Sequence, residues 1–156
     1  MIDTIDRRIL DLLQANARTS NVDIARELHM APSAILERTR KLEQRGILVG
    51  YEGRVSAKAI GLGLTAFVFV RADECTGSTV SGEAMAAIPE VQEVHAVAGE
   101  DCYLVKMRAR DTEDLARLLR ERLGPIPGVS STRTTIVLGT LKETATLPLD
   151  RLSERP

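Results

Sequence analysis

Only His29-Met30-Ala31, closed by Pro32, separates two short amphipathic stretches of this chain. So little intervening chain forces two helices to cross sharply rather than run on as one. The upstream stretch, about 21–28, gathers Val22, Ala25 and Leu28 on one side. Ser20, placed three residues before Asp23, suits its N-cap, where a hydroxyl and a first-turn acid satisfy free backbone N–H groups. The downstream stretch, about 32–45, turns Ile35, Thr39 and Leu42 inward. Pro32 fits its first position, Ala31 offers no side-chain cap, and Gly46 fits the residue just past its end. A further helix over 4–16, with Ile5, Ile9, Leu12 and Leu13 on one face, completes a three-helix unit whose last two helices have the helix-turn-helix spacing.

The periodicity changes at Ile47. Residues 47–55 read as a strand and 56–64, with Gly61 and Gly63, as a linker. Strands follow at 65–71, 91–98, 102–110 and 130–138. A helix over 79–88, with Val80, Ala84, Ala87 and Ile88 inward, and another over 112–123, striped by Leu115, Leu118, Leu119 and Leu123, lie between them. The order βαββαβ predicts a ferredoxin-like unit with both helices on one sheet face. The expected class is α+β: a three-helix winged helix-turn-helix domain over 1–60, with its linker strand, and a ferredoxin-like sensing and dimerisation domain over 61–156. The other sheet face is expected to carry Phe67 or Val68, Val94 and Ile136, and a second copy of the sheet is the economical cover for it.

Composition narrows the function classes. With 44% hydrophobic residues and a net charge of -1, the chain can build a core and is not expected to be disordered. No apolar run is long enough to span a membrane, and MIDTIDRRIL lacks the order of a signal peptide, so a cytoplasmic location is expected. Cys75 and Cys102 read as free thiols. With His95 they show no metal-ligand spacing, and no catalytic or cofactor motif occurs, so neither metal nor cofactor is expected. Residues 32–58 carry six basic against three acidic side chains, a mild bias compatible with a DNA-reading element.

Several stretches in order, IDTIDRRILDLLQANAR, VDIARELHM, SAILERTRKLEQRGILVGY, VAGEDCYLVKMRARD, IPGVSSTRTTIVL and LKETATLPL, resemble the Lrp/AsnC, or feast/famine, family of prokaryotic regulators. The likeness spans residues 2 to about 149. It implies double-stranded DNA as partner, a small-molecule effector, commonly an amino acid, and a homodimer that assembles further, for example into an octamer.

On the outer face of the third helix, Ser33, Ala34, Glu37, Arg38, Arg40, Lys41 and Arg45 are the expected DNA-contacting residues. Ser33 can bond a base or a phosphate, and Arg38 can fork to guanine or phosphate. Arg40, Lys41 and Arg45 suit phosphates. The resemblance places the effector at Gly99, Glu100, Asp101, Cys102 and Tyr103, with hydroxyls from Thr132 and Thr134. Cys102 stands where the family usually has Asp, and the acid sits one residue earlier. Asp101 or Glu100 would accept the ligand's ammonium, and loop N–H groups its carboxylate. The alternative is a siroheme decarboxylase-like enzyme of the same architecture, which would need histidines at a haem-type pocket; the chain offers His29 and His95.

Overall fold

The computed structural model describes residues 2–73 and 79–149. The described residues divide into two compact units, one of 2–54 together with 142–149, the other within 55–141.

The first unit holds α1 (Thr4–Ala15), α2 (Asn21–Glu27) and α3 (Pro32–Gln44). Each end follows from local chemistry. Asp3 caps α1 in a reciprocal capping box with Asp6, and Ser20 caps α2 by accepting from Asp23 N–H at 3.1 Å. Ala31 gives α3 no side-chain cap, as expected. The turn between α2 and α3 closes with Met30 N–H donating to Ala25 O at 2.9 Å, and His29 takes a left-handed φ of 53° to allow it. Gly46, φ 66°, ends α3 in the same way, with Ile47 N–H bonded to Leu42 O. Ile9, Leu10, Leu13, Ile24, Ala25, Ile35 and Leu42 form the core between the helices.

Two features of this unit differ from the sequence expectation. Residues 47–55 form no strand; Val49 and Val55 are exposed, and among the described residues no strand pairs with this stretch. Residues 142–149, which the expected domain limits assign to the second domain, lie with the helices. The Gln14 side-chain amide pairs with the backbone of Leu147, donating to its O at 3.1 Å and accepting from its N–H at 2.7 Å. Arg54 donates to Glu143 O at 2.8 Å, and Leu149 packs on the helical core.

The second unit contains β1 (Leu64–Ala72), α4 (Val80–Ala86), β2 (Val91–Ala96), β3 (Tyr103–Ala109), α5 (Thr112–Leu118), a π-helical turn (Leu119–Leu123) and β4 (Val129–Ile136). The antiparallel sheet runs β2-β3-β1-β4, as the ferredoxin-like reading requires. Ala66, Val68, Val70, Val105 and Met107 meet Met85, Leu115, Leu118 and Leu123 in its core.

The inward face of α4 is only in part the expected one. Ile88 is buried as expected, but Val80, Ala84 and Ala87 are exposed, and Ser81, Gly82 and Met85 are buried instead. Small residues are required there: a Cβ on Gly82 would lie 2.9 Å from Cε1 of the buried Tyr103 ring, and Ser81 Oγ donates to Pro127 O.

The register also corrects the composition of the free sheet face. Directly paired residues share a face, so Val68, opposite buried Val105, Val94, also opposite Val105, and Ile136, opposite Ala66, all belong to the helix side. Phe67 remains on the open face, joined by Phe69 and Leu104.

A basic recognition-helix face and a charged loop on the sheet

In the first unit, α3 presents two flanks on either side of its buried stripe Ile35, Thr39 and Leu42. Ala34, Glu37, Arg38, Lys41 and Arg45 line one shallow depression together with Asp6, Met30 and Leu42. Arg40 lies on the other flank with Leu36, Glu43 and Tyr51. Ser33, Glu37, Arg40, Lys41 and Arg45 are exposed; Ala34 is half-buried. Lys41 Nζ donates to Glu37 Oε1 at 2.6 Å, an exposed pair one turn apart that holds the Glu37 carboxyl below its usual range. Such a pair contributes little to stability and exchanges readily for another anion. Tyr51 OH donates to Glu43 Oε1 at 2.9 Å; burial first, and then that carboxylate, push the phenol up to about 12.

Arg38 is placed differently. Its Nη1 donates to Asp3 Oδ2 at 2.6 Å and to Asp6 Oδ1 at 2.8 Å, across to the start of α1. The Asp3 carboxyl is held below its usual range, first by the Asp6 N–H it caps and also by Arg38. Asp3 and Asp6 are functional candidates that sequence reasoning missed. Only the Asp-x-x-Asp spacing before the first apolar run could have signalled the cap, and nothing local signals the Arg38 link.

In the second unit, the loop between β2 and β3 is tied to the open sheet face. Gly99 takes φ 147°, a conformation suited to glycine. Asp101 accepts from Arg133 Nη2 at 2.9 Å, and the Arg133 guanidinium lies 4.1 Å from the centre of the Phe69 ring. Arg71 Nε donates to Glu100 O at 3.1 Å, leaving the Glu100 carboxylate almost fully exposed. Arg133 is a further residue the sequence reading did not single out.

The expected loop residues split into two groups. Gly99 and Glu100 are exposed and Asp101 is half-buried, whereas Cys102 and Tyr103 are buried and support the loop from below. Cys102 Sγ accepts from Ala72 N–H at 3.1 Å. The expectation of free thiols is overturned for Cys102, which is disulfide-bonded; Cys75 lies outside the described residues. Thr132 and Thr134 pair with Val70 and Val68 and so turn toward the helix side, away from Arg133 and Asp101. His95 sits on the open face beside Glu93, 3.2 Å away, and His29 is an exposed turn residue of the other unit. Among the described residues no group of three metal-ligating side chains comes together. No helix there is long and apolar enough to cross a membrane.

A helix-turn-helix unit joined to a ferredoxin-like unit defines a DNA-binding regulator with an attached ligand-binding domain. The profile of the AsnC-type helix-turn-helix domain matches residues 2–43, and that of the Lrp/AsnC ligand binding domain matches residues 65–147. The leucine-responsive regulatory protein of Haemophilus influenzae is 34% identical over 151 residues, covering 95% of this chain and 90% of its own length. Its counterpart in Escherichia coli K12 is 34% identical over 144 residues, 91% of this chain and 88% of its own. Among solved structures, a Neisseria meningitidis transcriptional regulator in complex with L-methionine superposes with a TM-score of 0.90 at 30% identity, covering 97% of this chain and 99% of its own. The feast or famine regulatory protein of Mycobacterium tuberculosis, also complexed with L-methionine, gives 0.86 at 31% identity over 94% and 99%. The chain belongs to the Lrp/AsnC family of transcriptional regulators. These relatives are regulators, and nothing among them favours the decarboxylase alternative.

Proposed function

We propose that this regulator binds operator DNA through α3 and adjusts that binding to an amino-acid effector held at the loop between β2 and β3. Ser33, Ala34, Glu37, Arg40, Lys41 and Arg45 form the DNA-facing surface. In this reading Ser33 and Glu37 reach base edges, and the basic side chains grip phosphates. The observation that carries the sensing role is the Asp101–Arg133 pair, opposite charges 2.9 Å apart at an accessible loop. A zwitterion can insert between them, its ammonium on Asp101 or Glu100 and its carboxylate on Arg133 or the N–H groups at Gly99. The two solved relatives named with L-methionine support an amino acid in this role.

The chain works as a cytoplasmic homodimer, joined through the open sheet faces around Phe67, Phe69 and Leu104, and dimers assemble further, as in an octamer. Effector binding shifts that assembly, and with it the number of operator half-sites held together. Asp101→Ala is expected to abolish the amino-acid response while leaving effector-free operator binding within about twofold. The check is a titration of operator binding with and without L-methionine on both proteins. A variant that responds as the unaltered protein does removes Asp101 from the sensing site.

A further inference from the structure

We infer that Arg38 is a positioning residue: its guanidinium bolts α3 to the first turn of α1 through Asp3 and Asp6, and the DNA is read by the residues around it. This rests on the DNA-binding role proposed for α3. The bolt joins groups 35 and 32 residues apart in sequence. Beside it, Ile9, Leu10 and Leu13 of α1 share an apolar core with Ile35 and Leu42 of α3. Apolar packing is non-directional and lets a helix roll or slide slightly. A guanidinium shared by two carboxylates fixes direction as well as distance. Hydrogen bonds to base edges need the recognition helix held to within about 0.5 Å, and such precision has to come from supporting contacts.

Charge and burial both set Arg38 apart from its neighbours. Two carboxylates surround one guanidinium, so the cluster as a unit does not attract a phosphate. The Asp6 side chain is only 12% exposed. Withdrawing Arg38 toward DNA would leave that carboxylate buried without its counter-charge, which is costly. Lys41 and Glu37 are 62% and 68% exposed, and Lys41 can leave its partner with little loss.

The two roles make opposite predictions for Asp6→Asn. The change leaves the Asp3 cap in place, keeps a side-chain acceptor for the Asp3 N–H and removes one negative charge close to the DNA-facing surface. If Arg38 contacts DNA, freeing it leaves operator binding unchanged or tighter. If Arg38 is a bolt, operator binding falls. The experiment measures affinity of the full-length protein for a recovered operator fragment and for a random fragment, across salt concentrations. It compares the unaltered protein with Asp6→Asn, Arg38→Gln and the double variant.

The bolt predicts that each single variant loses about tenfold on the operator and less than about twofold on random DNA, with the double variant no worse than the weaker single. It also predicts an unchanged slope of log affinity against log salt for Arg38→Gln, where Lys41→Ala flattens that slope by about one. Undiminished operator binding by Asp6→Asn overturns the inference, and that variant decides the matter even if Arg38→Gln does not fold. A flattened slope or altered preference at a single base pair in Arg38→Gln overturns it as well. An unaltered protein that prefers no fragment refutes instead the DNA-binding role on which the inference rests.

Discussion

At the scale of single residues, the strictest demands fall on positions that look unremarkable in the sequence. Gly82 sits mid-helix in α4, where glycine ordinarily costs stability, because the Tyr103 ring occupies the space a Cβ would need. Gly82→Ala is expected to lower unfolding stability by about 1–3 kcal/mol through overpacking. Combining it with Tyr103→Leu should recover part of that loss in denaturant midpoints; an unaffected single variant would mean that the ring moves aside freely. Asp114 is the second such position. Its carboxylate accepts from Arg110 Nη2 and the Arg110 N–H, both at 3.1 Å, and from Arg117 at 2.6 Å, which together hold its pKa well below the usual carboxylate range. A carboxyl more acidic in the folded than in the unfolded chain stabilises the fold above the unfolded value, about 3.9, and ceases to as pH falls through the folded one. Asp114→Asn should therefore be less stable than the unaltered protein at neutral pH, and the gap should close in acid. A gap constant from pH 7 to about pH 2 would show that the ion pairs contribute nothing.

At the scale of elements, helix-forming segments were largely legible because their caps and apolar periods are local. Ser20, Pro32 and Gly46 act as expected at the ends of α2 and α3. The failures have a common physical cause, since each depends on a partner distant in sequence. The inward face of α4 is chosen by Tyr103, not by its own hydrophobicity. Residues 47–55 have strand-like composition but, among the described residues, no strand beside them to complete hydrogen bonding. The position of residues 142–149 depends on Gln14, whose amide imitates a strand backbone toward Leu147. This stretch acts as a further element of the helical unit. Ending the chain at Leu141 is expected to cost that unit about 1–3 kcal/mol, from three hydrogen bonds and the packing of Leu149. Hydrogen exchange reads it out directly: amides of α1 should exchange faster and those of β3 unchanged. Equal protection in α1 would show that the stretch rests on the helices without supporting them.

At the scale of the whole molecule, the two-unit architecture and the family were legible because several weak matches occur in one order along the chain. The sites were legible only as segments. Helical periodicity placed Arg38 on the outer side of α3, but its partners Asp3 and Asp6 come from across the helix-turn-helix unit. The loop acids were identified, but their register with Arg133 and Phe69 exists only once β4 pairs with β1. The central claim is that DNA binding and amino-acid sensing reside in one chain and are coupled. It is tested most directly by capturing the preferred fragment from genomic DNA with the full-length protein, then titrating binding with and without each amino acid. The account predicts a preferred fragment, steep salt dependence, and a shift in apparent affinity of at least about fivefold with one or more amino acids, accompanied by a change in assembly state. A preferred fragment whose binding and assembly no amino acid alters would contradict it.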